Sequence, residues 1–123
     1  MGKVYLTSEF TFDAAHQLKT HKGKCSQLHG HTYKLQVTVY GIPNMITGII
    51  MDFGELKELV CEKIIDVVDH KNLTEIFPDN TTAENLCVWA WDVLNHLLPN
   101  GVGLYEIKIW ETPTCYATYR GGG

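Results

Sequence analysis

Hydrophobic and polar residues alternate along two long stretches in the first third of the chain. In residues 4–12 and 33–40, apolar side chains take every second position, and many of them are aromatic or β-branched. This period of two predicts β-strands with one buried face each. The same pattern predicts a short extended piece at residues 48–51 and two further strands at 104–111 and 116–119.

The middle of the chain changes to a helical period. Between residues 53 and 68 apolar residues recur every three or four positions, with Asp52 as candidate N-cap and Glu55 at the position that bonds back to it. A second helix is predicted to begin near Thr81 or Thr82 and to end at Pro99-Asn100-Gly101. The order of strands, two helices and strands predicts a single α+β domain over residues 1–120, followed by a flexible glycine tail at 121–123.

Three histidines fall at positions that the strand pattern sends to one side. His16 shares parity with the apolar residues of the first strand, and His29 and His31 share parity with those of the second. Residues two apart in a strand project to the same face, so neighbouring strands would deliver three imidazoles into one volume. Three neutral imidazoles suit Zn²⁺ and leave a fourth position for water or substrate. A lone histidine is more often structural or simply exposed, and we interpret His21 and His96 in that way.

Charge and cysteine usage narrow the class of protein. The formal net charge of −4 argues against a general nucleic-acid binder, because few cations remain to neutralise phosphates. Neither a signal peptide nor an apolar run of the ~20 residues that a bilayer requires is present in the sequence. Four widely spaced cysteines disfavour a disulfide framework in a domain of this size, so we expect a reducing cytoplasm and no membrane partner.

Two other groups of residues allow both a chemical and a structural interpretation. Cys25 stands four residues before His29, where it is either the fourth ligand of a closed structural zinc or a free thiol activated beside an open one. Asp69 and His70 end the first helix, where Asp69 can orient His70 only if the helix has already opened. The alternative is a helix end that carries a favourable cation.

Each of two carboxylates also allows two interpretations. Glu111 shares parity with the apolar residues of the third strand, so it either has a partner on the buried face or lies in solvent beyond the strand. Glu84 occupies the capping-box position if Thr81 is the N-cap, which would be a sufficient structural reason for it.

Taken together, five motifs resemble those of one enzyme family: Cys25-x-x-x-His29-Gly30-His31, Phe12-Asp13-Ala14-Ala15-His16, Asp69-His70, Thr82-x-Glu84-Asn85 and Glu111. The resemblance is to the 6-pyruvoyl-tetrahydropterin synthase family, and most of all to its 6-carboxy-tetrahydropterin synthase branch of queuosine and related deazapurine biosynthesis. It implies the tunnelling fold (T-fold), an antiparallel sheet with two helices on one face in the order ββααββ. It also implies a homohexamer of two stacked trimers with active sites at subunit interfaces.

The resemblance also implies a role for each motif. His16, His29 and His31 match the zinc ligands, and Cys25 matches the catalytic cysteine. Asp69 and His70 match the pair that completes the relay of a neighbouring subunit's cysteine. Glu111 matches the carboxylate that anchors the pterin, and Thr82 and Glu84 match further pterin-pocket positions.

The implied activity is conversion of 7,8-dihydroneopterin triphosphate to 6-carboxy-5,6,7,8-tetrahydropterin, acetaldehyde and triphosphate. Three residues separate Cys25 from His29, a spacing that resembles the carboxy-forming branch, because the pyruvoyl-forming animal enzymes carry a longer insertion there. The alternatives are the pyruvoyl-forming reaction, a related retro-aldol cleavage of dihydroneopterin, and a zinc-stabilised oligomeric scaffold without turnover.

Overall fold

Two long antiparallel strands form the centre of the sheet in the computed structural model, which describes residues 2–18 and 27–122. Strand β1 is Val4–His16 and strand β2 is His29–Gly41, and their register pairs Phe12 with Tyr33 and His16 with His29. Strands β4 (Gly103–Thr112) and β5 (Cys115–Tyr119) continue the antiparallel sheet beyond β2. These four strands confirm the period-two prediction.

Along the chain, the helices come between strands β1 and β2 and strands β4 and β5. Helix α1 is Phe53–Val60, and it continues through a π-helical turn at Cys61–Ile65 into α2 at Asp66–Val68. Helix α4 spans Ala83–Leu94. Two short elements between them were not predicted, the strand β3 (Lys71–Asn72) and the helix α3 (Leu73–Ile76). The two-residue β3 pairs in parallel with β1, which gives the sheet order β3-β1-β2-β4-β5.

The short extended piece predicted at residues 48–51 pairs with no strand of the sheet among the described residues. It follows a turn in which the side chain of Asn44 accepts backbone N–H bonds from Ile46 and Thr47 at 2.8 and 3.1 Å. An asparagine that satisfies nearby backbone donors offers the chain a compact turn in place of a sheet ladder. The pattern of apolar residues alone does not predict the competition between this turn and sheet pairing.

One face of the sheet packs on the helices and forms the core. Phe12, Tyr33, Leu35 and Ile107 are at most 3% exposed on that face, and Leu56 of α1 packs into the same cluster at 1%. Burial of each large apolar side chain contributes about 1.5–3 kcal/mol before the entropy of ordering is counted. The α+β architecture is therefore confirmed, with the end of β1 and the start of β2 reaching past the apolar core. Among the described residues, no helix is long and apolar enough to span a membrane.

Candidate active site

Three imidazole rings converge where β1 ends and β2 begins. The Nε2 atoms of His16 and His29 lie 3.1 Å apart, and the ring centroid of His31 is 5.2 Å from that of His16 and 4.9 Å from that of His29. One ring nitrogen from each residue lies within 4.8 Å of the others. The paired register of β1 and β2 places the rings together, since His16 is directly opposite His29.

Hydrogen bonds to backbone carbonyls orient two of the rings. His16 Nδ1 lies 2.8 Å from the carbonyl oxygen of Thr81, and His29 Nδ1 lies 2.7 Å from that of Gln27. A carbonyl can only accept, so each Nδ1 donates a hydrogen bond to its carbonyl and each ring turns its Nε2 toward the centre. A cation bound by both Nε2 atoms, which lie 3.1 Å apart, would give each of them a partner. The donor set therefore fits a divalent metal, and carbonyl bonds of this kind are the usual support of metal-binding histidines.

The third ring, that of His31, also has a nitrogen that lacks a hydrogen-bond partner in the described part of the chain. His31 Nε2 is buried and has no hydrogen-bond partner among the described residues. Burial lowers the pKa of His31, which favours the neutral ring that binds metals. A buried ring nitrogen without a partner is costly, and a metal ion bound at this position would remove that cost.

Glu111 extends from the end of β4 over the histidine cluster. Its Oε1 lies 3.4 Å from the Nε2 atoms of both His16 and His31, and its side chain is 33% exposed. Of the two positions left open for this residue, the structure gives the partnered one, on the buried side of the strand. The negative charge beside these two ring nitrogens adds to the attraction for a cation.

Glu111 also lines a recess of about 370 Å³ together with Glu84 and Cys115. The carboxylate thus borders both the histidine cluster and this recess. Thr82 has a different position: it is the N-cap of α4, and its hydroxyl accepts the N–H of Asn85 at 3.1 Å. Because Thr82 and not Thr81 is the cap, Glu84 is one residue short of the capping-box position, and the structural reason considered for it is wrong.

Asp69 and His70 lie at the edge of the sheet rather than in the histidine cluster. The helix has ended at Val68, and His70 adopts a positive φ of 60°. This opening allows Asp69 Oδ1 to approach His70 Nδ1 to 3.0 Å, although the two residues are adjacent. The backbone N–H of Asp13 donates to the same oxygen at 3.0 Å and is the main cause of a lowered pKa for Asp69.

His70 is presented to the outside of the molecule. Its backbone N–H donates to the carbonyl of Asp13, which fixes the residue along β1, while 77% of its side chain is exposed. His70 and His31 line the same broad groove of about 570 Å³. The acid–imidazole pair is therefore assembled within the chain, and its free face is open to another molecule.

Cys25 lies outside the described residues, in the segment 19–26. The position of its thiol relative to the histidines consequently stays a prediction. Cys87 of α4 is not a candidate for the reactive thiol. Burial raises the pKa of its thiol to about 12, which makes it unreactive at neutral pH.

Sequence reasoning missed the residues that act through their backbones. Thr81 is 2% exposed and holds His16 through its carbonyl, and Gln27 holds His29 in the same way. Every residue has a carbonyl, so the residue types carry no signal for these contacts. The position of Thr81 immediately before a helix cap was the nearest available hint.

Comparison with known proteins settles the family. Residues 5–122 match the family described as 6-pyruvoyl tetrahydropterin synthase. The chain belongs to this family. It is 39% identical over 132 residues to the 6-pyruvoyl tetrahydrobiopterin synthase of Dictyostelium discoideum, with 96% of each chain covered. It is 33% identical over 139 residues to the 6-carboxy-5,6,7,8-tetrahydropterin synthase of Haemophilus influenzae, with 94% of this chain and 97% of that one covered.

A solved structure confirms the fold that the family implies. The 6-pyruvoyl tetrahydropterin synthase of Caenorhabditis elegans superposes with a TM-score of 0.89 at 31% identity, over 99% of this chain and 98% of that one. The expected T-fold is therefore present. The protein is an enzyme of the pterin synthase type. The Dictyostelium and Haemophilus relatives carry names for two different products, so family membership alone leaves the product open.

Proposed function

We propose that this protein is a zinc-dependent carbon–carbon lyase that converts 7,8-dihydroneopterin triphosphate and water to 6-carboxy-5,6,7,8-tetrahydropterin, acetaldehyde and triphosphate. This reaction would serve queuosine or another 7-deazapurine pathway in the cytoplasm. The observation that carries the proposal is the set of three inward-facing Nε2 atoms beside the Glu111 carboxylate. It supplies a metal-binding centre and a polar anchor in one place.

The metal of this centre would be held by His16, His29 and His31. Zinc with three imidazole ligands supplies Lewis-acid polarisation of the substrate's side-chain oxygens when it is bound. The chain's own part is to keep the Nε2 atoms unprotonated, which the carbonyls of Thr81 and Gln27 do for two of the rings.

Substrate recognition is assigned to the recess between Glu84 and Glu111. A pterin ring carries an amino group and a ring N–H side by side, and a carboxylate such as that of Glu111 can accept both hydrogen bonds at once. Glu84 lines the same recess. A ring without those donors would leave the carboxylate unpaired, which gives selectivity. The hydroxyl of Thr82 is engaged as the N-cap, so this residue would contribute through its position at the N-terminus of α4.

Proton transfer is assigned to Cys25, His70 and Asp69. Asp69 fixes the proton on Nδ1 of His70, so that the exposed Nε2 is free to take a proton from a thiol. Cys25 would then move protons between the substrate side chain and the ring. An exposed pair at the sheet edge suits a site completed by a neighbouring subunit, and we propose a homohexamer of two trimers built from the single domain at residues 1–120.

The product distinguishes this proposal from the pyruvoyl-forming alternative. The short spacing from Cys25 to His29 favours the carboxy product, whereas the 39% identity to the Dictyostelium enzyme favours the pyruvoyl product. Incubation of the zinc-loaded protein with 7,8-dihydroneopterin triphosphate, followed by mass spectrometry, tests this. Acetaldehyde and 6-carboxy-tetrahydropterin in equal amounts are expected, and a pterin that keeps all three side-chain carbons would contradict the proposal.

The scaffold alternative is separated by removing the metal. An enzyme with a catalytic zinc can remain assembled after chelation and lose only its turnover, whereas a zinc-dependent scaffold loses its assembly. We expect the elution volume on size-exclusion chromatography to stay constant while activity disappears and returns with added zinc.

A further inference from the structure

A buried tyrosine places its hydroxyl beside one histidine of the cluster. Tyr33 is 0% exposed, and its Oη lies 3.4 Å from Nδ1 of His16. Its ring stacks on that of Phe12 across the β1–β2 pair, with the centroids 4.8 Å apart and the planes inclined by 8°. A buried tyrosine hydroxyl usually has a hydrogen-bond partner. Because the stacking fixes the ring, it also fixes the hydroxyl next to His16.

Thr81 brings a second hydroxyl to the same nitrogen. This residue is 2% exposed, and its Oγ1 lies 3.3 Å from His16 Nδ1, while its carbonyl oxygen lies 2.8 Å from that atom. Because Nδ1 donates its hydrogen to the carbonyl, a hydroxyl oxygen beside it can only turn its lone pairs toward this N–H. Three uncharged oxygen atoms therefore surround one ring N–H.

His29 is held in a simpler way. Its Nδ1 donates to the carbonyl of Gln27, only two residues away and at the surface of the molecule. The groups around His16 come instead from β2 and from the residue before the N-cap of α4, and the ring that they hold is 0% exposed. A ring held from two separate parts of the fold cannot rotate without disturbing the packing around it. His16 is therefore fixed more firmly than His29.

We propose that the hydroxyls of Tyr33 and Thr81 are positioning groups, which hold His16 in place for the metal and raise the affinity of the site for it. A cation bound at Nε2 withdraws electron density from the ring, so the N–H on its other side becomes a stronger hydrogen-bond donor. Oxygen acceptors around that N–H then stabilise the metal-bound ring more than the free ring. This inference rests on the metal site of the proposed function and is independent of the reaction and its product.

The zinc affinity of Tyr33→Phe tests this role. The change removes the hydroxyl and keeps the ring that stacks on Phe12, so the Kd for zinc should rise about tenfold, as is usual when such a supporting partner is lost. Competition with a chromogenic chelator measures the Kd. The matched control is Tyr40→Phe, on the same strand and beside the ring of Tyr5, and its Kd should equal that of the wild type.

A pair of threonine variants provides a second measurement on the other hydroxyl. Thr81→Val removes the hydroxyl and keeps the carbonyl, so the Kd for zinc should again rise. Thr38→Val is the matched control, because Thr38 is also buried but its hydroxyl bonds to that of Thr7 at 2.8 Å. The same loss of affinity in Thr38→Val would assign the effect to the packing of the fold and would overturn the proposal.

The absorption spectrum of the cobalt-substituted protein separates positioning from a loss of stability. The visible bands of Co²⁺ depend on the geometry of its ligands, so they should shift in Tyr33→Phe and stay unchanged in Tyr40→Phe. A merely structural hydroxyl would affect the urea midpoint and leave these bands alone. An unchanged Kd or an unchanged cobalt spectrum in Tyr33→Phe would overturn this inference alone. A wild-type protein that binds no zinc would overturn the proposed function as well, so the two failures are distinguishable.

Discussion

Two histidine-containing regions of this molecule are built in opposite ways. The cluster of His16, His29 and His31 lies at the end of a thirteen-residue antiparallel pairing, and His16 is 0% exposed. His70 lies at the open edge of β1 with 77% of its side chain in solvent. Carbonyls of the same chain hold two rings of the buried cluster. The edge pair is held by Asp13, and the described residues leave the ring of His70 largely exposed.

The difference separates two kinds of chemistry. Metal binding requires ring nitrogens at fixed mutual distances, and two paired strands supply that rigidity. Proton transfer requires a ring that can meet another molecule, and an exposed edge supplies that access. Variants of each region should therefore fail in distinguishable ways.

The largest effect is expected from His29→Ala. One of three metal ligands is lost and two facing ring nitrogens no longer need a cation, so zinc content should fall from about one ion per chain to near zero, and turnover should vanish with it. Metal analysis by inductively coupled plasma mass spectrometry measures this. The matched control is His96→Ala, at an exposed position beyond α4, which should keep its zinc. Full zinc content in His29→Ala would disprove the ligand assignment.

His70→Ala should remove turnover while leaving the metal in place. Loss of a general acid–base group typically lowers kcat by about 10²–10⁴-fold, and zinc content should stay equal to that of the wild type. Mixing His70→Ala with Cys25→Ala subunits sharpens the comparison. Activity that returns after the two variants are unfolded and refolded together would place the imidazole and the thiol of one site on different chains. No recovery, with both variants correctly assembled, would place them on the same chain.

Glu111→Gln tests the border between the cluster and the recess. A charge-assisted hydrogen bond contributes about 1.5–3 kcal/mol, so the Kd of a bound pterin should rise about 10- to 100-fold while zinc is retained. Calorimetric titration with neopterin measures the change. Unchanged pterin affinity would move the anchor elsewhere, and loss of zinc would make Glu111 a metal ligand.

The smallest effect is expected from Asp69→Asn. The N–H of Asp13 lowers the pKa of Asp69 in the folded protein, so this carboxylate adds stability above its unfolded pKa of about 3.9. That contribution is lost as the pH falls through the lower folded pKa. The wild type should therefore be slightly more stable than the variant near neutral pH, and the gap should close in acid. Urea unfolding at several pH values tests this, and a gap that widens in acid would contradict it.

The sequence predicted the histidine cluster because it depends on side chains and parity alone. Phe12 and Tyr33 point into the core, and residues an even number of positions away must follow. The same reasoning could not reveal Thr81 or Gln27, which act through carbonyls. It also could not reveal the turn that precedes the extended piece predicted at residues 48–51, because that turn depends on the side-chain oxygen of Asn44 bonding to the backbone.

The edge pair was only partly predictable. The pattern located the end of the first helix at Asp69 and His70, and a condition was attached that the helix must open there. It does open, through a left-handed residue that is not glycine. Tertiary contacts with Asp13 hold that conformation, and nothing in the sequence of residues 66–72 alone predicts these contacts.

The π-helical turn at Cys61–Ile65 has a consequence for how this enzyme can change by insertion or deletion. Leu56, Val60, Ile64 and Val68 are all at most 1% exposed and lie every fourth residue, although a regular helix completes a turn in 3.6 residues. The wide turn, closed by the bond from Asp66 N–H to the carbonyl of Cys61, absorbs the drift of that row around the axis. Deleting one residue there would restore a regular helix without rotating its last turn, because the wide turn accommodates one extra residue, whereas inserting another would rotate the last turn by about 100° and withdraw Asp69 from Asp13. We therefore expect this segment to tolerate the loss of one residue better than the gain of one, at a distance from any reacting atom.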